Sequence, residues 1–205
     1  MHLFTESHYA SPYALSVYVA LKQKGIDFDL RTVDLDAGAQ HAPAFAAQSL
    51  TQRIPLLVDG DFALTESSAI TEYLDEVYPG TPLYPRDPKT KARARQVQAW
   101  IRSDLMPIRV ERSTFVIFYG RVDGPLSAEA QAAADKLFQA ADALLPQDGG
   151  NLFGDWSIAD LDLALMLNRL VLAGDAVPAR LADYARRQWA LPAVQEWLAL
   201  PRPGL

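Results

Sequence analysis

The sequence predicts a mixed α/β domain with the element order βαβ-ββα, followed by an all-helical domain. Strand and helix patterns alternate over roughly the first eighty residues, whereas only helical patterns follow residue 88. Between these regions, segment 79–88 holds four prolines within ten residues, which indicates a stiff linker rather than a helix or strand. We therefore expect one domain over residues 1–79, a linker over 80–88 and a second domain over 89–205.

The first strand and helix have clear local signals. Residues 3–5 are a short strand candidate, and a helix is predicted from Pro12 to Lys24. Ser11 is a suitable N-cap, because its side-chain oxygen can accept a backbone N–H of the first turn. Pro12 suits the first helical position and Gly25 suits the end of the helix.

The rest of the first domain predicts three more strands and a helix. Residues 28–33 alternate apolar and polar side chains, as a half-buried strand does. Residues 37–48 are weakly patterned, and we predict no element there. Two apolar runs within 55–64 flank Asp-Gly-Asp at 59–61, which indicates a hairpin. A helix over 66–78 completes the domain.

The second domain is predicted to be helical throughout. A long helix is expected over 89–119, with a kink or break at 103–107 because Pro107 cannot donate the helical hydrogen bond. An alanine-rich amphipathic helix is predicted over 127–145, another helix over 157–173, and two shorter helices after it.

The helix at residue 157 is predicted to be the buried centre of that domain. Ser157 and Asp160 form a capping pattern in which the serine hydroxyl takes the Asp160 N–H and the carboxylate takes the Ser157 N–H. Trp156 and Leu161 occupy the positions of a hydrophobic staple. Residues 163–167 are apolar around the whole helix, which indicates that protein surrounds it.

Composition excludes several classes of function. The chain has no cysteine, so disulfides, thiolate metal sites and a cysteine nucleophile are excluded, and any thiol must arrive with a ligand. His2, His8 and His41 lack metal-ligand spacing, and the net charge of -6 argues against nucleic acid. We expect no metal, and also no membrane partner, because no apolar run is long enough to span a bilayer. The N-terminus resembles no secretory signal, so a cytoplasmic location is expected.

Four features in this order and spacing resemble the cytosolic glutathione transferase family. They are Ser11-Pro12-Tyr13, Arg53-Ile54-Pro55, Glu66-Ser67 and the Ser157/Asp160 cap. The resemblance covers essentially the whole chain. It implies a thioredoxin-like domain that binds glutathione as co-substrate, a helical domain that forms a pocket for a small electrophile or peroxide, and a homodimer. Segments 11–13, 94–109 and 151–156 carry a closer likeness to an enterobacterial member of the serine type.

Ser11 is the candidate that activates the glutathione thiol. A cysteine thiol titrates near ~8.5, so a transferase must stabilise the thiolate at neutral pH. The Ser11 hydroxyl can donate to the sulfur, and the helix N-terminus favours an anion. Without the resemblance, the simpler interpretation is that Ser11 is only an N-cap, and the resemblance favours the activating role. The two roles are compatible, because one hydroxyl can do both. Tyr9 and Tyr13 are rival donors; Tyr13 lies inside the helix, while Tyr9 lies in the loop and can line a pocket.

The resemblance also assigns contacts to the three parts of glutathione. It implies a cis Ile54–Pro55 bond, after which the Ile54 backbone pairs with the cysteinyl unit as in strand addition. Arg53 pairs with the glycyl carboxylate, or is simply an exposed arginine. Ser67 at a helix N-terminus suits the γ-glutamyl carboxylate and Glu66 its ammonium, although such residues are common in any first helical turn.

The second substrate is less well defined. The resemblance makes Met106, Arg109, Arg112, Phe115 and Tyr119, together with Tyr9, candidates for an electrophile pocket; the alternative is that the apolar ones are core and the arginines solvated. The expected function is activation of glutathione for attack on an electrophilic carbon or a peroxide oxygen. The alternative is a non-catalytic binding or scaffold module that keeps the fold.

Overall fold

The computed structural model describes residues 1–204, which form two compact units. The first unit contains Met1–Leu83 and, from Pro192 onward, the C-terminal segment; the second contains Tyr84–Leu191. The predicted boundary differs at the C-terminus, since it placed the last helix in the second domain. That helix belongs to the first unit because it packs against the first helix of the chain.

The first unit has the predicted βαβ-ββα order. Its elements are β1 (His2–Glu6), α1 (Pro12–Lys24), β2 (Asp29–Val33), a 3₁₀ turn (Ala39–His41), α2 (Pro43–Ala46), β3 (Leu56–Asp59), β4 (Phe62–Thr65), α3 (Ser67–Val77) and, at the C-terminus, α10 (Pro192–Leu198). The 3₁₀ turn and α2 lie in the region for which no element was predicted. Both are very short, and a single helical turn leaves little periodicity in a sequence.

The four strands form one mixed sheet in the order β2-β1-β3-β4. β1 and β2 are parallel, whereas β3 is antiparallel to both β1 and β4. Phe4 pairs with Leu56, and Leu56 pairs with Thr65, so these residues form one row across three strands. The C-terminal end of β1, the N-terminal end of β3 and the C-terminal end of β4 therefore lie at the same edge of the sheet.

Helix α1 begins and ends as its sequence predicts. The Ser11 side chain accepts the backbone N–H of Ala14 at 3.1 Å, which makes it the N-cap. Gly25 adopts the left-handed conformation with φ of 68°, and its N–H reaches the carbonyls of Leu21 and Lys22. Most of the helix is buried, which gives the first residues of α1 a rigid support.

The second unit is helical, as predicted. Its helices are α4 (Pro88–Ser103), α5 (Met106–Glu111), α6 (Thr114–Tyr119), α7 (Ala128–Leu144), α8 (Ile158–Val171) and α9 (Ala179–Trp189). The predicted long helix over 89–119 is thus three helices. The break at 103–107 is confirmed, but a second break at Arg112 and Ser113 was not predicted. It arises where the Arg112 side chain is held by Asp175 and Ser113 caps α6.

Helix α8 is the buried centre of this unit, as predicted, since every residue from Ile158 to Leu170 is buried. Asp160 is fully buried, and its carboxylate accepts the Ser157 N–H and hydroxyl, both at 2.9 Å. The Asp160 N–H donates to the Ser157 carbonyl at 3.0 Å. Burial raises the pKa of Asp160, and the hydrogen bonds to its carboxylate oppose that rise.

Two kinds of feature are absent from the described residues 1–204. None of their helices combines the length and the apolar character that crossing a membrane requires. Nor do these residues contain a group of three or more His, Asp or Glu side chains arranged to hold a metal ion.

Candidate active site

The sheet edge formed by the ends of β1, β3 and β4 gathers the predicted glutathione-binding residues. β1 leads into Ser11, β3 is preceded by Ile54 and Pro55, and β4 is followed by Glu66. Because neighbouring strands are separated by ~4.8 Å, the three strand ends span about 10 Å. The order along this edge is the serine, then the proline segment, then the N-terminus of α3.

Ser11 is buried but retains 8% exposure at the start of α1. Its oxygen accepts the Ala14 N–H, so its proton remains available to donate to another group. Its own backbone N–H donates to Oε1 of Glu6 at 2.7 Å. The hydroxyl can therefore act as a cap and as a hydrogen-bond donor at once.

Glu6 holds the loop that leads to Ser11. Its carboxylate accepts the backbone N–H groups of His8, Ala10 and Ser11 at 2.5, 2.6 and 2.7 Å. Charge-assisted bonds of this kind are stronger than neutral ones. One side chain thus satisfies three main-chain donors within the loop.

Tyr9 lies at the centre of the same loop in the left-handed region, with φ of 48°. Its carbonyl accepts Nε1 of Trp197 at 3.0 Å and Nη2 of Arg202 at 3.2 Å. Its ring meets the Trp197 ring edge to face, with centroids 5.9 Å apart. Tyr13, the other rival donor, lies in the first turn of α1 and is half-buried.

The segment before β3 has the expected backbone. The Ile54–Pro55 peptide bond is cis, Pro55 is buried and Ile54 is half-buried. Arg53 is exposed, and its carbonyl accepts the hydroxyl of the buried Ser49 at 3.5 Å. The guanidinium of Arg53 is therefore at the surface, next to the sheet edge.

The start of α3 combines an acidic and a hydroxyl side chain. Glu66 is exposed, has φ of 70° and occupies the N-cap position, and its carbonyl accepts the Ile70 N–H at 2.9 Å. Ser67 is the first helical residue and is 4% exposed. The first N–H groups of a helix lack helical partners, so this end of α3 favours an anion.

The candidates in the second unit differ in their surroundings. Met106 is 54% exposed and Phe115 is 36% exposed, while Arg109 and Tyr119 are half-buried. The rings of Phe115 and Tyr119 lie 5.6 Å apart. These side chains give α5 and α6 an accessible apolar surface.

Arg112 is buried in the second unit, with 1% exposure. Its Nε and Nη2 donate to the Asp175 carboxylate at 2.7 and 2.8 Å, and Nη2 also donates to the Gly124 carbonyl. Asp175 raises the pKa of Arg112. These bonds give Arg112 a structural role, and its burial keeps it out of the accessible surface that Met106 and Phe115 form.

Sequence reasoning missed Glu6, Trp197 and Arg202. Glu6 stands at the end of a short strand without any motif around it, and the other two lie close to the C-terminus. Glu6 adjoins the loop before Ser11 in sequence, whereas only the fold brings Trp197 and Arg202 to it. Tyr9 and Trp197 are so far apart in sequence that no local pattern indicates their contact.

The sheet order and the helical unit after it define a thioredoxin-like protein with an added helical domain. Residues 7–82 match the model of the glutathione S-transferase N-terminal domain, and residues 87–202 match that of the glutathione S-transferase C-terminal domain. The chain therefore belongs to the glutathione S-transferase family.

Individual relatives agree with this assignment. Glutathione S-transferase theta-3 of Mus musculus is 34% identical over 166 residues, which cover 78% of this chain and 69% of the mouse protein. A glutathione transferase homolog from Burkholderia gl BGR1, solved with bound glutathione, is 48% identical; the match covers 96% of this chain and 95% of that one, with a TM-score of 0.80. Maleylacetoacetate isomerase from Methylobacterium extorquens AM1, solved with malonate and glutathione, is 30% identical over the full length of both chains, with a TM-score of 0.75.

Proposed function

We propose that this enzyme is a serine-type glutathione S-transferase in which the Ser11 hydroxyl donates a hydrogen bond to the thiolate of bound glutathione. The observation that carries the proposal is the sheet register, which aligns the ends of β1, β3 and β4 at one edge. An extended tripeptide is about 10 Å long. That length allows the backbone to reach from the N-terminus of α3 to the segment before β3, with the thiol directed towards Ser11.

Along this edge the N-terminus of α3, the Ile54–Pro55 segment and Ser11 lie in the order of the γ-glutamyl end, the cysteinyl unit and its thiol. The γ-glutamyl carboxylate binds at Ser67 and the N-terminus of α3, with Glu66 opposite the ammonium. The cysteinyl unit pairs with the backbone of Ile54 beside Pro55, and its thiol then lies towards Ser11. Arg53, which is exposed, pairs with the glycyl carboxylate. Each charged group of the tripeptide thus has a partner of opposite charge or a helix N-terminus.

In the chemical step, the thiolate sulfur attacks an electrophile. The Ser11 hydroxyl hydrogen-bonds the anion and lowers the thiol pKa, and the N-terminal dipole of α1 acts in the same direction. The protein has no cysteine, so glutathione supplies the only thiol. Attack on an electrophilic carbon forms a C–S bond and either displaces a leaving group with its bonding electrons or adds to a double bond whose other carbon then takes a proton. Attack on a peroxide oxygen breaks the O–O bond, which gives a sulfenic acid of glutathione and releases an alcohol; a second glutathione then forms the disulfide and water is released.

The electrophile meets an apolar surface of the helical unit in this proposal. Met106, Phe115 and Tyr119 contact the apolar part of the substrate, and the Arg109 guanidinium suits a negative or polarised group on it. Tyr9, in the first unit, is a further candidate for contact with the electrophile. Double-bond isomerisation begins with the same thiolate, and the likeness to the maleylacetoacetate isomerase makes it a second candidate reaction.

Two finer assignments belong to the same proposal. Segments 11–13, 94–109 and 151–156 support a likeness to the enterobacterial glutathione transferase YfcF. We also propose a homodimer, supported by exposed apolar side chains at Phe62 and Val77, which are 44% and 55% exposed. Light scattering of the purified protein tests the dimer, and a monomer at all concentrations would contradict it.

The ultraviolet absorbance of the glutathione thiolate, recorded against pH, tests the role of Ser11. We expect the wild-type protein to lower the thiol pKa below ~8.5 and Ser11→Ala to return it towards that value. Ser7→Ala is the matched control, because the Ser7 hydroxyl lies in the same loop and donates to the Val33 carbonyl. If wild type and Ser11→Ala lower the thiol pKa equally, another donor, such as Tyr9, stabilises the thiolate. A protein that neither binds a glutathione column nor shifts the thiol would be a scaffold module instead.

A further inference from the structure

In the loop from Ser7 to Ala10, side chains hydrogen-bond both to backbone N–H groups and to a backbone carbonyl. Glu6 accepts three of the backbone N–H groups between His8 and Ser11. The carbonyl of Tyr9, in the middle of that stretch, is held by donors from the C-terminal segment instead. The conformation of this loop therefore depends on a part of the chain that lies almost two hundred residues away.

The contact at Tyr9 is well suited to fix a backbone position. Tyr9 has φ of 48°, a conformation that residues other than glycine adopt rarely. Trp197, which is fully buried, donates Nε1 to the Tyr9 carbonyl, and the two rings also meet edge to face. A buried indole in a tightly packed site has little freedom to move. Its Nε1 therefore fixes the direction of the Tyr9 carbonyl.

Arg202 provides a second donor to the Tyr9 carbonyl and also bonds to carbonyls at the end of α10. Its Nη1 donates to the carbonyls of Leu198 and Leu200 at 2.8 and 3.2 Å. Its Nη2 donates to the carbonyls of Trp197 and Tyr9 at 3.0 and 3.2 Å. One guanidinium thus satisfies the last carbonyls of a helix and binds the loop at the same time.

We propose that Trp197 and Arg202 are positioning residues for catalysis: by holding the Tyr9 carbonyl they orient the Ser11 hydroxyl towards the glutathione thiol. The proposal rests on the function proposed above for Ser11. Neither side chain touches the reacting sulfur in this scheme. Their effect passes through two peptide units, since Tyr9 and Ser11 are separated only by Ala10, which is 8% exposed.

The consequence is that loss of these donors impairs the chemical step more than glutathione binding. The backbone at Ile54 and the start of α3, which bind glutathione in the proposed function, adjoin the other strands β3 and β4 and should keep their geometry. A displaced hydroxyl stabilises the thiolate less, so kcat falls while the dissociation constant of glutathione changes little.

Three variants test the proposal. Trp197→Phe keeps an aromatic ring but removes the Nε1 donor together with part of the buried indole. Arg202→Gln removes the cation from a half-buried site and is the variant less prone to misfold. Arg202→Lys keeps the positive charge but replaces the forked guanidinium by a single ammonium group. Tyr18→Phe is the matched control, because the Tyr18 hydroxyl links α1 to α10 through Glu196 at 3.1 Å and makes no bond to the loop.

The first readout is amide hydrogen exchange of a peptide covering residues 7–11, without glutathione. We expect at least a several-fold faster exchange in Trp197→Phe and Arg202→Gln, and no change in Tyr18→Phe. The second readout is the thiol pKa of bound glutathione, with kcat and KM. For Arg202→Gln we expect a pKa nearer ~8.5 and a kcat about tenfold lower. Arg202→Lys should recover part of that loss.

The outcomes separate the two proposals. Unchanged exchange at residues 7–11 in both variants overturns the role of the C-terminal segment, whatever the kinetics show. Faster exchange with an unchanged thiol pKa and kcat also overturns it, because the loop then moves without affecting Ser11. If wild-type protein itself leaves the thiol pKa unshifted, the function proposed for Ser11 fails, and the exchange data still report whether Trp197 and Arg202 hold the loop.

Discussion

The carboxylate of Glu6 accepts the backbone N–H of Ser11 at 2.7 Å, so the last residue of β1 is bonded directly to the N-cap of the first helix of the chain. The same Oε1 atom accepts the Ala10 N–H at 2.6 Å. A strand end and a helix N-cap five residues apart are thereby joined into one rigid turn. The candidate nucleophile-activating hydroxyl lies at the end of that turn.

Replacing Glu6 should reduce both stability and activity. Glu6→Ala leaves three main-chain N–H groups without their acceptor, and we expect a loss of about 1–3 kcal/mol in the free energy of unfolding, measured in urea. Glu6→Gln keeps one oxygen acceptor and should lose less. Activity with glutathione should fall in the same order, because Ser11 is displaced. A Glu6→Ala protein with wild-type stability and kcat would show that the turn forms without this carboxylate.

Ser67 and its neighbour Ser68 allow a controlled test of the proposed contact with the γ-glutamyl carboxylate. Ser67 is 4% exposed at the start of α3, whereas Ser68 is half-buried one position further on. We expect Ser67→Ala to raise the KM for glutathione about tenfold with little change in kcat, since the lost interaction binds the ground state and transition state equally. Ser68→Ala should leave both constants near wild type. Equal effects of the two substitutions would argue against a specific carboxylate contact.

Arg112 should matter for stability and not for substrate affinity. Its guanidinium is buried against Asp175, and removing one partner of such a pair leaves the other charge uncompensated. Arg112→Ala should therefore lower the free energy of unfolding by about 3 kcal/mol. Arg121→Ala, which breaks the exposed Arg121–Asp123 pair, should change it by less than about 1 kcal/mol. A raised KM for an electrophile in a fully stable Arg112→Ala protein would restore Arg112 to the substrate pocket.

Because of Asp104, the free energy of unfolding should decrease as the pH is lowered from the ordinary pKa of an aspartate to about 2. Its hydrogen bond with Lys136, the Leu105 N–H and the Trp100 indole lower its pKa to about 2. Because the folded-state pKa lies below the unfolded value, the stabilisation is present above the unfolded value and is lost as the pH falls towards about 2. Asp104→Asn should flatten this part of the stability profile. Lys136→Met should move the Asp104 titration, followed by NMR, up towards its ordinary range, and an unmoved titration would exclude Lys136 as the main cause.

The local elements were predictable because their signals lie within a few residues of one another. Ser11, Pro12 and Gly25 mark the ends of α1 through cap chemistry that needs no distant partner. The buried helix α8 was predictable from its continuous apolar surface. The missed break at Arg112 had only the weak local signal of Ser113, which caps α6, while Arg112 itself is held by Asp175, more than sixty residues further along.

Local chemistry in the chain was therefore sufficient for the βαβ-ββα order of the first unit, the helical character of the second, the absence of a protein thiol and the resemblance to glutathione transferases. The tertiary structure alone decided that α10 packs in the first unit and that Trp197 and Arg202 hold the Tyr9 carbonyl. The physical reason is the range of the interactions. Caps, turns and periodicity act between near neighbours in sequence, whereas a hydrogen bond between an indole and a distant carbonyl exists only after the apolar core has brought the two together.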